Sequence, residues 1–147
     1  MNFKLFFLNK APDYKGRMLS DIYKFSDNEI EATHDFIQII FPLAEPSYWS
    51  SNKYFIESQQ EVKILSKSKN VREVILQSAS WYIAFLKRNN HWKNSNDHNL
   101  KRITRMIKSV RLIVGDIEAD KIKKEIISFQ NIEKLIGQKS IKYWKNA

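Results

Sequence analysis

Apolar residues recur at three- and four-residue steps along most of the chain, a period that predicts helices rather than strands. The clearest case is the stretch 26–46. Ile30, Thr33, Phe36, Ile37, Ile40 and Phe41 fall on one broad helical arc that goes to a core, while Asp35 and Ile39 point elsewhere. Ser26 with Glu29 three residues on forms a capping box, and Asp27, Glu29 and Glu31 suit the positive end of the helix dipole. Pro42 stops this helix and Pro46 keeps the following segment extended. His34 and Gln38 lie one turn apart at the edge of the arc.

The same reading extends along the chain. The start, Met1 to Lys10, is a short apolar run and reads as a buried first segment. A turn over 12–19 feeds a short helix, Leu19 to Phe25. Residues 47–57 are irregular and aromatic (Tyr48, Trp49, Tyr54, Phe55) and lack glycine, which predicts a loop packed on the body. Ser58 begins a helix to about Lys67. Asn70 caps a stronger one to about Lys87, with Val71, Val74, Ile75, Ser78, Trp81, Tyr82 and Phe85 on its face. After a polar loop, 88–97, Asp97 or Asn96 starts the longest clear helix, to Val114, with Gly115 as its stop in a left-handed conformation. Asn99, Ile103, Met106, Ile107, Val110, Ile113 and Val114 define its apolar face. A further helix spans Asp116 to Phe129, and the lysine-rich remainder holds one short amphipathic stretch ending near Gly137, with Tyr143 and Trp144 docking the tail. The expectation is one all-α domain, 1–147, of about six helices.

Composition agrees with a packed domain. The chain has 147 residues, 43% of them hydrophobic, with only three glycines and three prolines, which argues against both disorder and a hairpin-rich β protein. There is no cysteine, so disulfides and thiolate chemistry are excluded. No stretch approaches the roughly 20 apolar residues of a spanning helix, and the first residues lack the pattern of a signal peptide. No membrane contact is expected, and a cytoplasmic location is. The net charge of +9 makes anionic partners plausible: nucleic acid, a phosphorylated ligand or an acidic protein. The competing account is a lysine-rich composition spread along the chain without function.

Candidate chemistry concentrates in two places. His98, Arg102, Arg105 and Ser109 follow at steps of four, three and four, forming one stripe beside the apolar face of the long helix, with Thr104 and Arg111 on the other border. Two arginines beside a histidine and a serine suit phosphate or carboxylate. Packing of apolar faces would bring this stripe opposite His34 and Gln38, giving a ligand-binding groove of His34, Gln38, His98, Arg102 and Arg105 supported by Asp35, Asn99, Ser109 and Arg111. The alternative is a structural ion network of the arginines with Glu29, Glu31 or Asp35. A hydrolase or transferase using His34 and His98 as acid and base is a further reading, although adjacent helix positions prevent Asp35 from orienting His34. No cofactor is expected. Nor is a metal: no two histidines share ligand spacing on one helix, and a His34, Asp35, His98 set has only weak support. Tyr48, Trp49, Tyr54 and His91-Trp92 either stack on bases or pack.

Three phrases carry a family resemblance: Pro12-Asp … Gly16-Arg … Leu19-Ser-Asp-Ile22, then Glu31-Ala-Thr-His-Asp-Phe-Ile-Gln38 … Phe41-Pro-Leu43, and His98-Asn-Leu-Lys-Arg-Ile-Thr-Arg105 … Ser109-Val-Arg-Leu112. In order and spacing they resemble the conserved region of the opioid growth factor receptor family over about residues 12–115. Phe25 and Ile39 stand where that family usually has tryptophan. The resemblance implies a domain-only, microbial-type member whose phrases are the family's common site or common scaffold. It supplies no catalytic residues, and the opioid-peptide activity of vertebrate members is not carried over.

Overall fold

The computed structural model describes residues 1–47 and 54–147, and among them it contains nine α-helices and no strand. The domain is therefore all-helical, with more helices than the pattern predicts. The additional ones are short or lie at the ends. The aromatic pair Tyr48 and Trp49 falls outside the described residues.

Helix α1 (Phe3–Phe7) buries Phe3, Phe6 and Phe7, and the Asn2 side chain accepts from Leu5 N at its start. Helix α2 (Leu19–Ile22) follows a turn in which Gly16 takes a positive φ of 79° that a side chain would strain. Helix α3 (Asp27–Ala32) has the expected capping box: Ser26 Oγ accepts from Glu29 N at 3.3 Å and Glu29 Oε2 accepts from Ser26 N at 2.8 Å.

The single helix expected through Phe41 is in fact two. The chain leaves α3 at an extended Thr33 (φ −94°, ψ 120°) and re-enters a helix, α4 (Phe36–Ile40). All five residues of α4 are buried, including Ile39, which therefore does not point away from the core. The break at Thr33 redirects the chain, and α4 enters the interior.

Helix α5 (Gln59–Lys67) begins at Ser58, whose Oγ accepts from Glu61 N at 3.1 Å. Helix α6 (Lys69–Arg88) is capped by Ser68 rather than Asn70, because one extended residue suffices to separate it from α5. Helix α7 (Asn99–Ile113) packs against α5, α6, α8 and α9 and is the central element. Gly115 then separates it from α8 (Asp116–Ile127) with φ 131° and ψ 172°. That is a glycine-favouring conformation, but extended in ψ rather than the left-handed helical one expected.

Helix α9 (Ile132–Lys145) does not end at Gly137. It kinks there and resumes, because Ile141 and Trp144 find the core. The Trp144 indole donates to Leu100 O on α7 at 3.3 Å. Tyr143 stays 59% exposed and does not dock the tail. Among the described residues no helix is long and apolar enough to cross a membrane.

Candidate functional site

The seam between the 30–43 segment and α7 is where the two candidate phrases meet. Its cationic side chains turn toward main-chain oxygens. Arg102, only 6% exposed, donates through Nη1 to Ile30 O at 2.8 Å and through Nη2 to Thr33 O at 2.9 Å, with Glu31 O at 3.5 Å. These are the carbonyls that the end of α3 leaves without helical partners. The guanidinium thus serves as the C-terminal cap of α3, where the helix dipole is negative. Its carbon lies 5.6 Å from the Phe36 ring centroid. One turn on, Arg105 Nε donates to Phe41 O at 2.8 Å, and a further turn on Ser109 Oγ donates to Pro42 O at 2.8 Å. The predicted stripe is therefore a row of three clasps along the chain it faces.

Of the candidate residues, the structure brings His34, His98 and Arg102 together. His34 Nδ1 accepts from Arg102 Nη2 at 3.3 Å, and the His34 and His98 rings meet edge to face with centroids 5.3 Å apart. Gln38 is buried within α4.

Asp35 is not the counter-ion of Arg102. It pairs with Lys15 and, at 3.0 Å, with Arg17, whose Nε donates to Asp13 Oδ2 at 2.8 Å. Burial works against the charge of Asp35, but the bonds from Lys15 and Arg17 prevail and hold its carboxyl below the usual range. Asp13 also accepts the Lys15 and Arg17 amides on Oδ1 and so fixes the turn. Arg111 lies at the far end of α7, bound to Asp116, Asp120 and Ala147 O, and takes no part in the seam.

Asn99 is fully buried and central. Its amide nitrogen donates to Asp97 Oδ1 at 2.8 Å and to Glu31 Oε2 at 3.1 Å; its oxygen accepts from the Tyr82 hydroxyl at 2.5 Å and from Arg102 Nη1 at 3.3 Å. Glu31 in turn lies 3.0 Å from His91 Nε2 and 3.1 Å from His98 Nε2. Burial tends to raise the Glu31 pKa, yet the Asn99 and His91 bonds and the nearby His98 keep it low. Burial, and then the charge of Arg102, lowers His98. Ligand atoms of Glu31, Asp97 and His98 all lie within 4.8 Å of one another, a separation that one metal ion could span; Asp35 is not part of the set.

Arg105 differs from Arg102. No described residue accepts from either of its terminal nitrogens, and Nη2 is shielded from solvent. Burial lowers its pKa to about 10, with Glu45 the one acid opposing that shift.

Several of these residues escape a reading by helical period. Arg17, Lys15 and Asp13 sit in a turn, and His91 and Asp97 in the polar loop. The signal for Arg17 and Asp13 is their presence in the first of the quoted phrases. Trp92, next to His91, is fully buried and donates its indole N–H to Leu86 O and Asn89 O, so it is not available to stack on a base. Tyr54 is stacked on Tyr14, with centroids 3.5 Å apart.

The three phrases thus form one connected structure. Arg17 and Asp35 tie the first to the second, and Arg102, Arg105 and Ser109 tie the second to the third. The chain is similar to the opioid growth factor receptor of Rattus norvegicus, 27% identical over 146 residues, and to that of Mus musculus, 28% identical over 146 residues. Each alignment covers 84% of this chain but only 24% and 22% of the respective relatives, so the chain spans about a quarter of their length. No solved structure matches. The family described as the opioid growth factor receptor (OGFr) conserved region matches residues 2–146, which brings α8 and α9 into the shared region along with the phrases at 12–115, and the chain belongs to that family.

Proposed function

We propose that this domain is a binding module that seats an anionic group of its partner against Arg105, at the seam between α7 and the Phe41–Leu43 turn. The observation that carries the reading is the mostly buried guanidinium of Arg105, held by a single carbonyl and with no described acceptor for its terminal nitrogens. Glu45 is the one acid that favours the charge, and it does not offset the burial; an incoming phosphate or carboxylate relieves the remaining cost. The surroundings favour the same sign. Helix α7 carries Lys101, Arg102, Arg105, Lys108 and Arg111 and no acid, in a chain of net charge +9. Arg102, His34 and His98 then act as the frame of the seat rather than as its reading groups.

A phosphate of nucleic acid or of a phosphorylated ligand is the favoured anion. An acidic peptide or protein is the second source; the mammalian relatives are named opioid growth factor receptor, which is in keeping with a peptide or protein partner. Thermal melts with sulfate or phosphate, against chloride at matched ionic strength, test the seat. The wild-type Tm should rise and that of Arg105→Gln should not, since binding to the native state stabilises it by mass action. Equal rises in both proteins would reject Arg105 as the seat. Steep loss of affinity with salt on generic DNA or RNA would assign the nucleic-acid source. A salt-tolerant complex with an acidic peptide would assign the other.

A further inference from the structure

All three histidines of the chain gather near the end of α3, and two of them face one carboxylate. We infer that Glu31, Asp97 and His98 form a binding site for a divalent first-row transition ion of the zinc type, with His91 outside the set and held to the other oxygen of Glu31. This site is separate from the Arg105 seat and does not depend on it.

Several observations support the assignment independently. The first is spacing. Bonds of about 2.0–2.2 Å from zinc to nitrogen and oxygen place neighbouring ligand atoms roughly 3–3.5 Å apart. His98 Nε2 lies 3.1 Å from Glu31 Oε1, and the ligand atoms of Glu31, Asp97 and His98 fall within 4.8 Å of one another. A modest side-chain adjustment closes that triangle on an ion.

The second is the state of His98 Nε2. This atom is shielded from solvent and makes no hydrogen bond, even though the carboxylate oxygen is so near. The two atoms are close without the alignment of a hydrogen bond, a geometry suited to sharing an ion.

The third is the support behind the ligands. The buried Asn99 amide holds both carboxylates, donating to Asp97 Oδ1 at 2.8 Å and to Glu31 Oε2 at 3.1 Å. Outer groups of this kind orient metal ligands and tune their basicity. Asn99 is itself fixed by the Tyr82 hydroxyl. The rim of the site is partly exposed, with the side chains of Glu31 and His98 29% and 40% accessible, while His98 Nε2 itself faces inward. An imidazole with two carboxylates is a mixed nitrogen and oxygen set. It suits zinc and its first-row neighbours better than magnesium or calcium, which prefer oxygen alone.

The test is isothermal titration of the full chain, stripped with chelator, using zinc ion alone near neutral pH. One zinc per chain is expected, with affinity falling about 10–100-fold or more in Glu31→Gln and His98→Ala. Binding should also weaken on acidification through the imidazole range, because histidine must be deprotonated to bind a metal. Substituting cobalt should give visible bands that shift in His98→Ala. If His98→Ala fails to fold, Asp97→Asn, which retains an acceptor for Asn99, carries the same readout. No zinc binding by the wild type, or equal binding in the variants, would overturn the site and leave Glu31 and the two histidines as a polar network only.

Discussion

Replacing Arg102 by alanine removes the cap of α3. Two short bonds are lost, a buried one at 2.8 Å to Ile30 O and a partly buried one at 2.9 Å to Thr33 O. Bonds from a charged donor contribute about 1.5–3 kcal/mol each, and a buried carbonyl left unsatisfied costs about 1–3 kcal/mol. Releasing a buried guanidinium from its desolvation offsets part of this. The net expectation is about 3–5 kcal/mol, the range for breaking a buried charged contact. For a chain of this size that corresponds to a fall in Tm of roughly 10 °C. Arg102→Lys should lose most of the same amount, because an ammonium cannot span two carbonyls as a planar fork does. Urea melts followed by circular dichroism measure the change directly, with an unaltered m-value expected for a two-state loss. A cost under about 1 kcal/mol would refute the reasoning and make Arg102 available to a ligand.

Other consequences follow from the same contacts. Gly115→Ala should cost about 1–3 kcal/mol in the same melts through backbone strain alone, since an added Cβ meets nothing within 4 Å; a neutral result would mean that the joint between α7 and α8 relaxes. Trp144→Ala should cost about 3–5 kcal/mol, because the indole is fully buried, and a loss under about 1 kcal/mol would undo the docking of α9. Asp35 has a depressed folded pKa, so its contribution is present above the unfolded value near pH 4 and is lost as the pH falls through the lower folded value. Asp35→Asn should therefore be less stable than wild type at neutral pH, with the gap closing on acidification; a gap constant across that range would show that the charge does not matter.

What the sequence shows of this fold is largely what local chemistry decides. The Ser26 and Glu29 box, the Ser58 cap and the Gly115 stop need only near neighbours, and each is present. The break after Ala32 depends on Arg102, some seventy positions away, taking carbonyls that a longer helix would have used internally. No period in the 26–41 stretch reveals that. Gly137 reads as an end, yet α9 resumes past it because Trp144 reaches Leu100 on α7. The site follows the same rule. The stripe of His98, Arg102, Arg105 and Ser109 is legible from helical spacing, and so is its meeting with the 30–43 segment. The oxygens it would grip are not, because carbonyls exposed by a broken helix have no sequence signature. Asp35 finds Arg17 across a turn, and His91 reaches Glu31 from a polar loop, where periodicity offers no guidance.

The proposal that an anion sits against Arg105 is tested most directly by the Arg105 side-chain Nε–H signal in a nitrogen-correlated NMR spectrum during phosphate titration. A saturable shift of that signal, together with the Phe41 and Leu43 amides, is predicted. Shifts confined to exposed lysines, with Arg105 unmoved, would contradict it.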